Sequence, residues 1–388
     1  MTDNKGRINE KNRKKVMVID DSALMRRVMC DILEADGRFI IEDICTNGLD
    51  AFNLLKEKTY DIVITDIVMP KMTGLELLEK LQNEGINANV VVASTLSQEG
   101  AKETLRALEL GAVEFVPKPL NFIEARGEDF AKQVRHAVEA AANTSASLST
   151  KRKTSVPKEA EATTPKKEAV ATAPAKPAVS VDKSKLRTTT HAGAKAKTKI
   201  VALACSTGGP KALQSVVPFL PANLDAPVLI VQHMPEGFTA MMAQKLNGLS
   251  HMKVKEAAEG DLVTKGTVYV APGGKHMNVA RNGNEYRIKL TDEPIREGVK
   301  PCANYMYESL INSNYEEITC VVLTGMGADG TAGIKALAKE KNIYCISQDQ
   351  ASCVVYGMPK AIFEAGLVNE VVPLDEVVGA IVKNVGVM

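Results

Sequence analysis

The sequence predicts two doubly wound α/β domains, each on a parallel sheet, joined by a disordered linker. Three observations carry this. Short apolar runs alternate with amphipathic segments from Lys15 to about Asn143, and the alternation resumes at Lys199. Continuous apolar runs of strand length suit sheets covered on both faces, which are parallel ones. Between them, from about Thr144 to Thr198, the composition shifts to Ala, Lys, Thr, Pro and Ser without any aromatic residue. Such a stretch cannot bury enough apolar surface to offset its chain entropy. The expected domains are 15–142 and 199–388, with 143–198 as the linker; a chain of 388 residues has room for two or three domains.

In the first domain, Val16–Ile19 reads as a buried strand and Met25–Glu34 as a helix. Asp61–Thr65, Asn89–Ala93 and Glu114–Val116 are the other strong strands. In the second, Ile200–Ala204, Val228–Val231, Ile318–Leu323 and Ile343–Ile346 read as buried parallel strands. Thr267–Leu290, broken by Asn282-Gly283-Asn284, reads as an antiparallel insert, because Asn-Gly suits a tight hairpin turn.

Net charge is +1, yet residues 151–199 hold 13 Lys/Arg against 4 Asp/Glu. That basic stretch has neither aromatics to stack bases nor zinc-ligand spacing, so no nucleic-acid binding is expected. It reads as a solvated spacer. Seven cysteines without a Cys-x-x-Cys pair point to a reducing compartment and no disulfide frame. Met1–Lys15 is polar throughout and no apolar run approaches about 18 residues. The expectation is a cytoplasmic protein with no membrane insertion.

Asp20, Asp21, Asp66, Ser94 and Lys118 each fall just after or at the end of a predicted strand. In open α/β sheets that rim is where ligands sit. Singly, each would be a solvated loop residue; five in register point to one site. Clustered carboxylates repel unless a hard cation lies among them, and Mg²⁺ suits oxygen ligands. A carboxylate so placed can accept a phosphoryl group, with Lys118 offsetting the added charge. Lys118-Pro119 follows Pro117, a rigid turn where a cis bond before Pro119 is one expectation.

Ser206 lies in Ala204-Cys205-Ser206-Thr207-Gly208-Gly209-Pro210, between a predicted strand and a helix. Small neighbours permit a sharp turn there, Pro210 suits a first helical turn, and a helix N-terminus favours developing negative charge. A serine nucleophile needs a base. His136 lies in the first domain's last helix and His191 in the linker, which leaves His233, His251 and His276. Rim position favours His233. Asp329 could orient that histidine, or cap the helix it opens. A third reading counts Gly325, Gly327 and Gly330 as Gly-x-Gly-x-x-Gly with Asp349 beyond, the fingerprint of a dinucleotide-binding oxidoreductase. Against it, Asp329 would put a carboxylate where pyrophosphate must sit.

The first domain resembles the receiver domain of bacterial response regulators, on the Asp20-Asp21 pair, Asp66 in Thr-Asp-Ile-Val-Met-Pro-Lys-Met-Thr-Gly, Ser94, and Lys118-Pro119. The resemblance implies a flavodoxin-like fold, Mg²⁺ held by Asp20, Asp21 and Asp66, and phosphate received by Asp66 from a histidine kinase. Ser94 and Lys118 would be the switch residues. Val68 and Thr73 depart from the usual pattern. The second domain resembles the chemotaxis protein-glutamate methylesterase catalytic domain, on Ser-Thr-Gly-Gly-Pro, Val-Gln-His-Met-Pro, Ala-Pro-Gly-Gly-Lys-His and Leu-Thr-Gly-Met-Gly-Ala-Asp-Gly in that order. This implies a Rossmann-like domain with Ser206 as nucleophile, His233 as base, Asp329 as its orienter, and backbone N–H groups of Met326 and Thr207 as oxyanion donors. No cofactor is implied for the ester reaction. Ala204-Cys205 and Pro301-Cys302-Ala303-Asn304 depart from the family's usual residues.

Together these imply demethylation of glutamate γ-methyl esters on chemoreceptors, with deamidation of receptor glutamines. The receiver is expected to cover the serine site until phosphorylation uncovers it. The competing readings are the receiver–oxidoreductase fusion and a DNA-binding regulator; the latter lacks a helix-turn-helix segment after the receiver.

Overall fold

The apolar run ending at Ile19 forms β1 (Lys14–Ile19), with Val16–Ile19 fully buried. Helix α1 (Ala23–Asp36) opens on Ser22, whose hydroxyl accepts from the Met25 N–H, and stops at Gly37 in the left-handed region. The first domain continues through β2 (Phe39–Cys45), α2 (Gly48–Glu57), β3 (Ile62–Asp66), α3 (Gly74–Glu84), β4 (Val90–Ser94), α4 (Gln98–Glu109), β5 (Glu114–Pro117), α5 (Phe122–Ala125) and α6 (Glu128–Ala142). The computed structural model describes residues 13–144, 183–187, 198–283 and 285–388. All five strands are parallel, in the order β2-β1-β3-β4-β5. The order reverses between β1 and β3, and a crevice opens at their carboxyl ends. The sequence reading passes over β2, an edge strand whose residues alternate between more and less buried rather than forming an apolar run. Thr73 has a local role: its hydroxyl accepts from the Glu76 N–H while the Glu76 carboxylate accepts from the Thr73 N–H, which caps α3 from both sides.

The second domain runs β6 (Lys199–Cys205), α7 (Gly209–Val216), β7 (Val228–Gln232), α8 (Phe238–Leu249), β8 (Lys253–Glu256), β9 (Thr267–Val270), β10 (His276–Asn282) and β11 (Glu285–Thr291). It ends with α9 (Ala303–Ser309), β12 (Glu317–Val322), α10 (Thr331–Glu340), β13 (Ile343–Gln348), α11 (Met358–Glu364), β14 (Glu370–Val372) and α12 (Val377–Val385). Seven strands make a parallel sheet, β14-β13-β12-β6-β7-β9-β8. Alternate residues of β6 enter opposite cores: Ile200, Ala202 and Ala204 pack with Met306 and Tyr307 on one face, Val201, Leu203 and Cys205 with Leu213 and Phe238 on the other.

Two expectations are corrected. The antiparallel insert is only β10–β11; Thr267–Val270, buried at every residue, pairs in parallel with β7 and β8. Its side chains are covered on both faces, which is the parallel-strand environment. The cis bond among the described residues is Lys300–Pro301, not the bond before Pro119. The linker also holds a docked piece. Lys183–Lys185 form a 3₁₀ turn, Leu186 packs on the second domain's core, and the Arg187 N–H donates to the Val368 carbonyl at 2.7 Å. Leu186 is one of the few large apolar residues in that stretch, which gives this short piece something to bury. Apart from this piece and its two ends, the linker lies outside the described residues.

The two domains meet face to face. Helix α4 packs against α7 and α8. The Phe115 and Phe238 rings stack with centroids 4.9 Å apart and 16° between planes. Glu109 pairs with Lys245 across the junction. The Thr207 hydroxyl donates to Glu114 Oε2 at 2.5 Å. One buried apolar cluster runs from Leu105, Leu108 and Phe115 of the first domain to Leu213, Phe238 and Met242 of the second.

Candidate active site

The first site forms at the β1/β3 reversal. Asp66 is the last residue of β3, with Oδ1 accepting from the Ile67 N–H at 2.7 Å. Lys118 Nζ lies 2.6 Å from Asp66 Oδ2 and 2.8 Å from Asp20 Oδ2. Burial pushes the Asp66 carboxyl up, Lys118 draws it down, and neighbouring Asp20 pushes it up again. Burial alone would depress the Lys118 ammonium, but the two carboxylates hold it above its ordinary value.

Asp20, Asp21 and Asp66 each bring a carboxylate oxygen within 4.8 Å of the others. Asp20 Oδ2 is buried and, beyond its ion pair with Lys118, has no aligned hydrogen bond. Three carboxylates against one ammonium leave an excess of negative charge, and an all-oxygen donor set fits a hard divalent cation. Ser94 ends β4 beside this rim, but its hydroxyl donates to the Gly100 carbonyl at 3.0 Å and not to Asp66. Val68 is 64% exposed and offers the site no side-chain ligand.

The second site forms where the larger sheet's order reverses, between β6 and β12. Ser206 leaves β6 and is almost fully buried; its N–H donates to the Thr324 carbonyl at 3.0 Å. The turn needs glycine twice. Gly208 has φ 77°, and a Cβ on Gly209 would fall 1.8 Å from Gln232 Oε1. His233 follows β7, and its Nε2 lies 2.8 Å from Asp329 Oδ2. Asp329 also accepts from the N–H groups of Ala303 at 2.6 Å, Asn304 at 3.0 Å and Gly330 at 2.8 Å, and from Cys302 Sγ at 3.0 Å. Burial alone would raise this carboxyl, but His233 and these donors bring it from 3.8 down to about 2. Its stabilising contribution is therefore complete above the ordinary carboxyl range and is lost only as pH falls through about 2.

The sequence-predicted residues thus gather as two groups: Asp20, Asp21, Asp66 and Lys118 on one rim, and the His233–Asp329 pair on the other, where Gln232 bonds the carbonyls of both Ser206 and His233. His276 is separate. Its Nδ1 accepts from the Cys302 N–H at 3.1 Å and its Nε2 faces the Glu293 carbonyl at 3.1 Å, so both ring nitrogens serve the backbone. His251 is exposed. Among the described residues, no protein acceptor takes the N–H of Thr207 or Met326.

The dinucleotide fingerprint loses its parts. A Cβ on Gly325 would meet Met358 Sδ and fall 2.8 Å from the Ser206 Cβ, so the space beside that glycine is filled by the protein's own side chains and not left for a phosphate. Asp349 Oδ1 accepts from the Ser352 N–H at 3.0 Å and closes its own turn.

Sequence reasoning missed three contributors. Gln232 Nε2 donates to the Ser206 carbonyl at 3.0 Å and the His233 carbonyl at 3.2 Å, tying the serine turn to the histidine. The Thr324 hydroxyl donates to the Thr207 carbonyl at 2.9 Å. Glu114 reaches the site from the other domain. Gln232 and Thr324 sit inside the motif segments, and a polar residue ending an apolar strand was the available signal. Glu114 carried none, because the docking that brings it there is not written in local pattern.

A serine turn beside a histidine that is bonded to an ionised Asp329, covered by a domain with a lysine-bridged acidic cluster, defines a hydrolase coupled to a phosphoacceptor domain. Residues 201–381 match the family described as CheB methylesterase, and residues 16–126 match the response regulator receiver domain. The chain is 38% identical to the protein-glutamate methylesterase/protein-glutamine glutaminase 1 of Syntrophomonas wolfei, over 94% of this chain and 97% of that one. It is 37% identical to the protein-glutamate methylesterase/protein-glutamine glutaminase of Bacillus subtilis, over 95% and 97%. The crystal structure of the Thermotoga maritima CheB methylesterase catalytic domain is similar at 35% identity and TM-score 0.46, covering 48% of this chain and 98% of that one. The chain belongs to the protein-glutamate methylesterase/protein-glutamine glutaminase family. No described helix is long and apolar enough to cross a membrane.

Proposed function

We propose that this chain hydrolyses glutamate γ-methyl esters on chemoreceptors, releasing methanol through an acyl-Ser206 intermediate, and deamidates receptor glutamines by the same route. The observation that carries the reading is the 2.8 Å contact between His233 Nε2 and an Asp329 carboxylate held ionised. It leaves Nδ1 as the ring nitrogen to take the serine proton. Ser206 Oγ attacks the ester carbonyl, and the N–H groups of Met326 and Thr207 receive the oxyanion. His233 then returns the proton to the departing methoxide. Water, deprotonated by His233 in turn, releases the glutamate and restores Ser206.

Asp66 is the phosphoacceptor, fed by a histidine kinase of the same signalling system in the cytoplasm. Asp20, Asp21 and Asp66 would hold Mg²⁺, which when bound offsets the charge of an incoming phosphoryl donor. Lys118 loses part of its contact with Asp66 when that carboxylate becomes an acyl phosphate, and β4–β5 and α4 adjust around it. The junction that α4 and β5 make with the second domain supports the reading that this adjustment uncovers Ser206. Methylated receptor is expected to release methanol with this protein, faster when acetyl phosphate and Mg²⁺ are present and at the basal rate when EDTA is added. No methanol release under any of these conditions would refute the reading.

A further inference from the structure

The residue that the first domain inserts into the serine site is a glutamate. Glu114 opens β5, and its Oε2 accepts from the hydroxyl of Thr207, the residue directly after the nucleophile. Its Oε1 accepts from the Phe115 N–H at 3.0 Å, which fixes the direction of the side chain. The neighbouring Phe115 ring is clamped on Phe238, so the backbone that presents Glu114 is anchored on the second domain. Among the described residues no lysine or arginine pairs with this carboxyl; the Thr207 hydroxyl, the Phe115 N–H and His233 are the groups that favour its charge. Burial between the domains pushes it up against their pull.

A purely steric cover has no need of an acid here. Even a half-buried carboxylate with no cationic partner is costly to desolvate, and an apolar residue would close the junction more tightly. The product of glutamate-ester hydrolysis, however, is a glutamate side chain with its carboxyl against Ser206 and the groups beside it. Glu114 is that same chemical group, of the same length, hydrogen-bonded to the residue next to the nucleophile.

We infer that Thr207 and the space beside Ser206 form the subsite for the glutamyl carboxyl of the substrate, and that Glu114 fills it as an internal product analogue in the docked state. This rests on the serine-hydrolase reading above. It assigns the Thr207 side chain, and not only its backbone, a part in recognising the acyl group. It also makes docking of the first domain competitive with substrate at a defined point.

The test uses the full chain and a fluorophosphonate, which bonds phosphorus to Ser206 Oγ as fluoride leaves and the serine proton passes to His233. Labelling of Ser206 is read by mass spectrometry. Glu114→Ala is expected to raise the labelling rate about tenfold without phosphodonor, the scale of losing one partly buried hydrogen bond. Glu114→Asp, which keeps the charge but withdraws the carboxyl by one methylene, is expected to follow alanine; it carries the test if alanine impairs folding. In either variant N-acetylglutamate should slow labelling saturably and N-acetylaspartate far less, whereas wild type should respond to neither. Labelling of both variants at the wild-type rate would overturn the inference while leaving Ser206 as nucleophile. Faster labelling without protection by N-acetylglutamate would also overturn it, reducing Glu114 to a steric contact. No labelling of Ser206 in any variant, with or without acetyl phosphate, would overturn the nucleophile assignment and this inference with it.

Discussion

Ser206→Ala is expected to abolish methanol release from methylated receptor, by about 10⁴- to 10⁶-fold, the range set by removing the nucleophile of a hydrolytic triad. What remains would come from the oxyanion donors and from substrate binding. Loss of one hydroxyl leaves the turn's backbone bonds intact, from the Ser206 N–H to the Thr324 carbonyl and from Gln232 Nε2 to the Ser206 carbonyl. Folding and the response of the receiver to phosphodonor should therefore be unchanged. The measurement is methanol release together with thermal unfolding of the same preparation. An active Ser206→Ala protein would remove the nucleophile assignment.

Asp329→Asn should come close to the same loss for a different reason. Asp329 Oδ2 faces the His233 ring and the Ala303 N–H, while Oδ1 faces the N–H groups of Asn304 and Gly330 and the Cys302 thiol. An amide has one acceptor oxygen where the carboxylate has two. If its NH₂ replaces Oδ2, it meets the Ala303 N–H head-on and donates to His233 Nε2, which moves the ring proton to Nδ1, the nitrogen that must accept from Ser206. If it replaces Oδ1, it meets two backbone N–H groups head-on. The first arrangement costs about 10⁴ in rate through the wrong tautomer. The second costs about 1–3 kcal/mol through unsatisfied buried donors. Methanol release and urea unfolding on one protein separate the two. An Asp329→Asn enzyme with wild-type turnover would show that His233 needs no orienting carboxylate.

Much of this was legible in the sequence because strand ends carry the chemistry. The strand runs end at Ile19 and Thr65 directly before Asp20 and Asp66, and at Val116 two residues before Lys118, and Ser206 after β6 and His233 after β7 are placed alike. Parallel sheets bring such ends to one rim, so local pattern reaches the site. Edge strands were harder: β2, β8 and β14 are short or half-exposed, and lack the apolar run that marks a central strand. Thr267–Val270 was identified as strand but placed in the wrong sheet, since pairing direction depends on distant β7. The domain junction was not legible residue by residue. Phe115, Glu109 and Glu114 belong to ordinary receiver elements, and only docking gives them Phe238, Lys245 and Thr207 as partners. Leu186 is the converse case, an apolar residue inside a stretch whose average composition hid it.

The central claim is that Asp66 governs access to Ser206. Methanol release from methylated receptor by wild type and by Asp66→Asn, each with and without acetyl phosphate and Mg²⁺, tests it most directly. The wild-type rate should rise with phosphodonor, and the Asp66→Asn rate should stay at the basal level under both conditions. An Asp66→Asn protein activated as strongly as wild type would contradict the account.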